Sequence, residues 1–156
     1  MTVVTDLVQA KAFVLQMREQ MPLLNFMQID AKHWDGQVLT LSAPLEPNRN
    51  DKNTAFAGSI ASLSTVTGWA LLMLWCEREF GPCHVAVYHA ELRYRQPITD
   101  VFQASAHLPS EAALEQLRAR MASHGKGRID VQLVVHSGEQ EAVTQTAGYA
   151  IWTVPY

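Results

Sequence analysis

Cysteine is nearly absent from these 156 residues: only Cys76 and Cys83 occur. Two thiols build neither a disulfide framework nor a four-ligand zinc site. They read as reduced thiols of a cytoplasmic protein. Charge is also sparse, at 17% of residues, with 12 basic against 15 acidic side chains and a net charge of −3. The basic footprint of a nucleic-acid binder is missing, so no nucleic-acid partner is expected. Met1–Ala10 holds Asp6 and no basic n-region, which argues against a signal peptide. The most apolar stretch, Ile60–Cys76, is only about a minimal membrane span. It carries Ser62, Ser64, Thr65, Thr67 and Gly68, and lone polar groups facing lipid are costly. A buried helix in a soluble domain fits better, with no membrane partner. His33, His84, His107, His124 and His136 have no metal-ligand spacing, so neither metal nor cofactor is expected. There is no G-x-S-x-G elbow, phosphate loop or dinucleotide fingerprint.

What is present is an ordinary globular composition, 48% apolar, in a chain long enough for one domain spanning 1–156. Val3, Leu7, Ala10, Val14, Met17 and Met21 recur every three or four residues, predicting a helix capped by Thr5 and ended by Pro22. Met27, Ile29 and Ala31 alternate with polar residues, as do Leu39, Leu41 and Ala43. These are two strands joined at Asp35-Gly36, a type I′ hairpin signal. Residues 44–55 read as a loop. A long apolar helix follows from Ala57 to Phe80, stopped by Gly81-Pro82.

The remainder is strand-rich. Over 84–95, strict alternation puts Val85, Val87, His89, Glu91, Arg93 and Arg95 on one face and Ala86, Tyr88, Ala90, Leu92 and Tyr94 on the other. Further strands are predicted over 102–108, 129–135 and 141–154. A short helix with Leu114, Leu117 and Met121 inward is capped at Pro109-Ser110, and Gly125-Lys126-Gly127 reads as a turn. An antiparallel sheet can cover one side of the apolar helix only, so a second copy of the chain is expected on the other.

The segment Pro47-Asn48-Arg49-Asn50-Asp51-Lys52-Asn53-Thr54-Ala55-Phe56-Ala57-Gly58-Ser59, followed by Thr67-Gly68-Trp69, carries a resemblance. It is similar to the hotdog-fold domains grouped as the YiiD C-terminal-type thioesterase family, over nearly the whole chain. The most specific part is N-x-N-x-x-x-T-x-F-x-G-S. The resemblance implies an α+β hotdog fold, a long central helix wrapped by a curved antiparallel sheet. It implies a homodimer or dimer of dimers, with an acyl-CoA or acyl-carrier-protein thioester between protomers near the start of each central helix. Hydrolysis of that thioester is the first implied activity. Some members are malonyl-acyl-carrier-protein decarboxylases that feed fatty acid synthesis, which is the second. A non-catalytic acyl-thioester binding domain is the third.

Each candidate residue has a chemical reason and a structural alternative. A helix start presents unpaired N–H groups, so Ala57, Gly58 and Ser59 could stabilise a thioester oxyanion. Alternatively, Gly58 only lets the helix pack closely. In the wider thioesterase pattern N-x-x-G-x-x-H-G-G, Asn50 takes the asparagine and Gly58 the last glycine. Asn53 replaces a glycine, Phe56 the histidine and Ala57 a glycine. Thr65 stands nine residues after Phe56, where many such enzymes carry an acid. Hydrolysis needs an activated water or a nucleophile, which leaves Asp51, His89 and Glu91 as candidates. His89 and Glu91, about 7 Å apart by strand rise, are either a base with its orienting partner or a solvated surface pair.

Decarboxylation needs no base, only a held carboxylate and a stabilised enolate. In the decarboxylase members the asparagine matching Asn50 is catalytic, but they show Asp and His where this chain has His89 and Glu91. Asn48 and Asn53 are loop amides with turn chemistry as the plain alternative. Phe56, Ser62 and Thr65 could touch the acyl group, or the hydroxyls could bond back to helix carbonyls. Arg93, Arg95, Lys126 and Arg128 could hold a CoA phosphate or an acidic carrier, or be scattered surface charge.

Overall fold

Helix-spaced apolar residues at the N-terminus form α1, Val3–Gln20. The computed structural model describes residues 3–155, with side chains from Asp6 onward. The cap expected of Thr5 therefore falls outside the described side chains, and the helix is already formed at Val3. Ala10, Val14 and Met17 are buried along its inner face. Pro22 separates α1 from a short helix, α2 (Pro22–Phe26), where it takes a first-turn position that needs no N–H. This helix removes Met27 and Ile29 from the first strand: β1 is only Asp30–Trp34. Gln28, at φ +58, turns the chain between them, and both apolar side chains are buried there.

The type I′ turn expected at Asp35-Gly36 does not form. Gly36 alone has a positive φ, +88, and Asp35 Oδ1 accepts from the amides of Gln37 and Val38, each at 2.8 Å. An aspartate that caps its own turn gives a longer connection before β2 (Val38–Ala43).

A 3-10 turn at Glu46–Asn48 and an open loop lead to α3, Ala57–Phe80. By length and composition α3 could cross a membrane, but 61% of its most apolar window is buried inside the protein. What buries it is one six-stranded sheet completed by β3 (Cys83–Tyr94), β4 (Phe102–His107), β5 (Lys126–Ser137) and β6 (Gln140–Thr153). The strand order is β1-β2-β4-β5-β6-β3, and every neighbouring pair is antiparallel. Alternate residues face α3: Ile129, Val131, Leu133 and Val135 of β5, and Val143, Ala147, Tyr149 and Ile151 of β6, are all buried. Gly68 lets helix and sheet approach, because a Cβ there would strike the Tyr149 hydroxyl. α4 (Glu111–His124) starts at Ser110, whose Oγ accepts from the Ala113 amide at 3.2 Å. Gly125, at φ +67, ends it and the chain enters β5 at once, so Gly125-Lys126-Gly127 is a helix stop rather than a separate turn.

In β3 a bulge overturns strict alternation. Val87 lies opposite Tyr149 and His89 opposite Gly148, so Tyr88 is an inserted residue. Past the bulge, Ala90, Leu92 and Tyr94 share the inner face with Val85 and Val87. His89, Glu91 and Arg93 join Tyr88 on the outer face, turned away from α3. Among the described residues β3 pairs only with β6, which leaves its other edge open.

Candidate functional site

The loop before α3 is shaped by its own amides. Asn48 is buried, and its Nδ2 donates to the carbonyls of Met27 and Pro44 at 2.9 and 2.8 Å. Its backbone carbonyl accepts from the Phe56 amide at 2.7 Å, so Asn48 ties both ends of the loop to the body. Asn50 Oδ1 accepts from the amides of Lys52 and Thr54, at 2.8 and 3.0 Å, while Nδ2 donates to Thr54 Oγ1 at 2.8 Å. Asn53 adopts φ +60, the left-handed region that explains a glycine at the matching place in the wider pattern. Asp51 points outward, 80% exposed, and pairs with Lys52 Nζ at 3.1 Å.

Asn50 lines a cavity of about 310 Å³ against the start of α3, together with Ala57, Ile60, Tyr94, Arg95 and Ile98. The first amide of α3 with a partner is that of Ile60, which donates to Phe56 O at 3.0 Å. Among the described residues the amides of Ala57, Gly58 and Ser59 have none, so the helix start keeps its partial positive charge. The Phe56 ring lies over Gly58 where a Cβ would otherwise be, so this glycine makes room for the ring. Tyr94 Oη donates to the Ala57 carbonyl at 3.2 Å, and burial raises its phenol above the ordinary range. Asp51 does not line this cavity, and neither does any histidine or carboxylate.

An apolar groove of about 580 Å³ lies further along α3, where Ser62, Thr65 and Trp69 face Val87 and Tyr149. Thr65 is anchored twice: Gln145 Nε2 donates to its Oγ1 at 2.9 Å, and Tyr149 Oη donates to its carbonyl at 2.7 Å. Gln145 is buried, and its Oε1 has no partner. A hydroxyl that accepts from an amide keeps its own O–H free to donate. Burial pushes the Tyr149 phenol well up, so it remains a donor.

Sequence reasoning missed Gln145, Tyr149 and Tyr94. Gln145 did leave a signal: a lone amide at an inward position between Val143 and Ala147 in an alternating strand. Tyr94 left none, because the bulge decides which face it takes.

Other expected site residues are not brought to this cavity. His89, Glu91 and Arg93 sit on the outer face, where Arg93 pairs with Glu91 at 3.5 Å. The ion pair is Arg93 with Glu91, not His89 with Glu91, and His89 stands on the face away from α3. The four expected cations separate. Arg95 lines the cavity, whereas Arg93 lies opposite Thr144 and Lys126 opposite Trp152, eight residues apart on β6. At ~3.3 Å per residue that separation is about 26 Å. Among the described residues no three His, Cys, Asp or Glu side chains converge as metal ligands.

Solved structures share this fold. A protein of unknown function from Chlorobaculum tepidum TLS is similar with a TM-score of 0.86 and 27% identity, over 96% of this chain and 98% of that one. A "putative thioesterase from Shewanella oneidensis" is similar with a TM-score of 0.78 and 24% identity, over 94% and 98%. A Pseudomonas aeruginosa protein described as "Probable Thioesterase" has a TM-score of 0.79 at 19% identity, over 94% and 95%. The last two carry the fold alone, and that fold is the hotdog: a long helix wrapped by a curved antiparallel sheet. The family model described as "Putative thioesterase (yiiD_Cterm)" matches residues 10–153, and the chain belongs to that family.

Proposed function

We propose that the protein hydrolyses acyl-CoA or acyl-carrier-protein thioesters at the start of α3. The observation that carries this reading is the set of free Ala57, Gly58 and Ser59 amides beside a cavity that also holds Asn50 and Arg95. A thioester oxygen gains negative charge when its carbonyl is attacked, and free amides at a helix start favour that charge. The groove along α3 offers an apolar bed for the acyl chain, with the Thr65 hydroxyl as its polar point. Arg95, which has no ion-pair partner among the described residues, suits a phosphate of the carrier arm.

Water activation falls to Asp51, one residue from Asn50, after a rotation away from Lys52, or to a group supplied by a second copy of the chain. The open β3 edge and the exposed Val87 beside the groove support a homodimer, or a dimer of dimers.

A second reading is decarboxylation of a malonyl thioester. It is favoured by a cavity without carboxylate or histidine and with one free guanidinium. Loss of CO₂ needs no base; Arg95 would hold the carboxylate, and the free amides the enolate oxygen. One assay separates the readings: mass spectrometry of the purified protein with an acyl-CoA panel and with malonyl-carrier protein. Free acid plus thiol supports hydrolysis, and Asp51→Asn should then abolish it. Acetyl-carrier protein plus CO₂ supports the lyase, and Asp51→Asn should leave it largely intact. Tight binding without turnover would replace both with a binding domain.

A further inference from the structure

A second concave surface lies where α4 meets β5 and β6, lined by residues of both sheet faces. It is a groove of about 790 Å³ between α4 and strands β5, β6 and β3. Cross-strand register gives its plan. One row runs Lys126–Trp152–His84, the next Arg128–Ala150–Ala86, and the third Asp130–Gly148–His89. Ala150 gives the groove a low floor, while large or charged side chains stand around it.

The groove is set apart by its charge. Of the 12 Lys and Arg residues, six are in ion pairs: Lys11, Lys32, Arg49, Lys52, Arg93 and Arg118. Arg18 and Arg78 donate to oxygens of Asn25, Ile29 and Gly36. Among the described residues four cations have no hydrogen-bond or ion-pair partner. One is Arg95, in the thioester cavity; the other three, Arg120, Lys126 and Arg128, all line this groove. In a chain of net charge −3, that concentration opposes the overall balance.

The groove is also ordered. The bulge in β3 puts the phenol end of Tyr88 against Gly148, where a Cβ would collide with it. The Arg128 guanidinium stacks on that ring at 4.6 Å, which fixes its plane and leaves its N–H groups free. Trp152 is 40% exposed and stacks with His84 at 5.4 Å. The Asp130 carboxylate stands beside Gly148 and has no ion-pair partner among the described residues.

We infer that this groove binds a nucleoside phosphate, in a site separate from the thioester cavity. The three cations take the phosphates, the exposed indole offers a face for the base, and Asp130 accepts from ribose hydroxyls. Each pairing follows ordinary recognition chemistry: guanidinium to phosphate, aromatic to base, carboxylate to vicinal diol. A free phosphate would use the cations alone and leave Trp152 and Asp130 without a role. The inference does not rest on thioester turnover.

The test is calorimetric titration of the intact protein with ADP, adenosine and pyrophosphate. ADP should bind saturably, and adenosine and pyrophosphate each at least tenfold more weakly. The double substitution Lys126→Ala, Arg128→Ala should weaken ADP at least tenfold. Asn50→Ala should leave ADP binding unchanged, which keeps this site distinct from the cavity at α3. Failure of ADP to saturate at millimolar concentration overturns the inference. So does equal binding by the double variant. Pyrophosphate binding as tightly as ADP overturns the nucleoside assignment and leaves an anion patch only.

Discussion

At the scale of single residues, Asn50 has two tasks that substitutions can separate. Its Oδ1 holds two loop amides and its Nδ2 donates to Thr54, while the residue itself lines the cavity. Asn50→Ala should abolish turnover and also lower stability by about 1–2 kcal/mol, since it removes several hydrogen bonds at a half-buried site. Asn50→Asp keeps the oxygen and loses the amide donor. Its urea midpoint should stay within error of the parent while turnover still falls; full activity in that variant would remove Nδ2 from the chemistry.

Thr65 and Gln145 form the second residue-scale case. Thr65→Val strands the Gln145 amide in the core, at a cost of about 1–3 kcal/mol. Gln145→Leu together with Thr65→Val removes both partners, so the double variant should be less destabilised than the sum of the two. Urea unfolding of the four proteins gives that coupling, and simple additivity would mean that the bond contributes nothing. The asparagine loop was legible because its bonds are local: Asn50, Lys52 and Thr54 are neighbours in sequence. The bond from Gln145 to Thr65 spans 80 positions, and only a polar residue in an apolar stripe announced it.

At the scale of elements, the contact of α3 with β6 depends on Gly68. Gly68→Ala would drive a methyl into the Tyr149 hydroxyl and displace it from the Thr65 carbonyl. Overpacking of this kind costs about 1–3 kcal/mol, and the urea midpoint should fall accordingly. A near-neutral result would show that the helix can rise off the sheet at little cost. The bulge in β3 is the element-scale feature that alternation could not supply. Ten residues from Val85 to Tyr94 read as one regular strand, yet the insertion at Tyr88 reverses the faces of all that follow. This reversal moves His89 and Glu91 off the inner face and brings Tyr94 onto it. The signal of a bulge is a register with the partner strand, and no property of β3 alone contains it.

At the scale of the whole molecule, the open β3 edge beside an apolar groove is the largest unmet demand. Val87 and Tyr94 are 44% and 50% exposed on the inner face of that strand. A long strand edge with apolar neighbours favours pairing with another copy. Sedimentation equilibrium should give a dimer or a dimer of dimers. Val87→Lys, which puts a charge into the groove, should shift the protein to monomer and lower turnover with it. A monomer with full activity would make the cavity at α3 self-sufficient and the partner unnecessary.

The sequence by itself determined the order of elements, the burial of the Ala57–Phe80 helix and the turn-rich loop before it. Those depend on periodicity and on residues a few positions apart, which any chain displays in one dimension. The tertiary structure decided which side chains meet: Tyr94 with Ala57, Gln145 with Thr65, and three cations, unpaired among the described residues, around one groove. It also decided that Asp51 faces solvent and that Lys126 lies far along β6 from Arg93. Such meetings are set by strand register, by one bulge and by the close approach of α3 to β6, and each of these is a relation between segments distant in sequence.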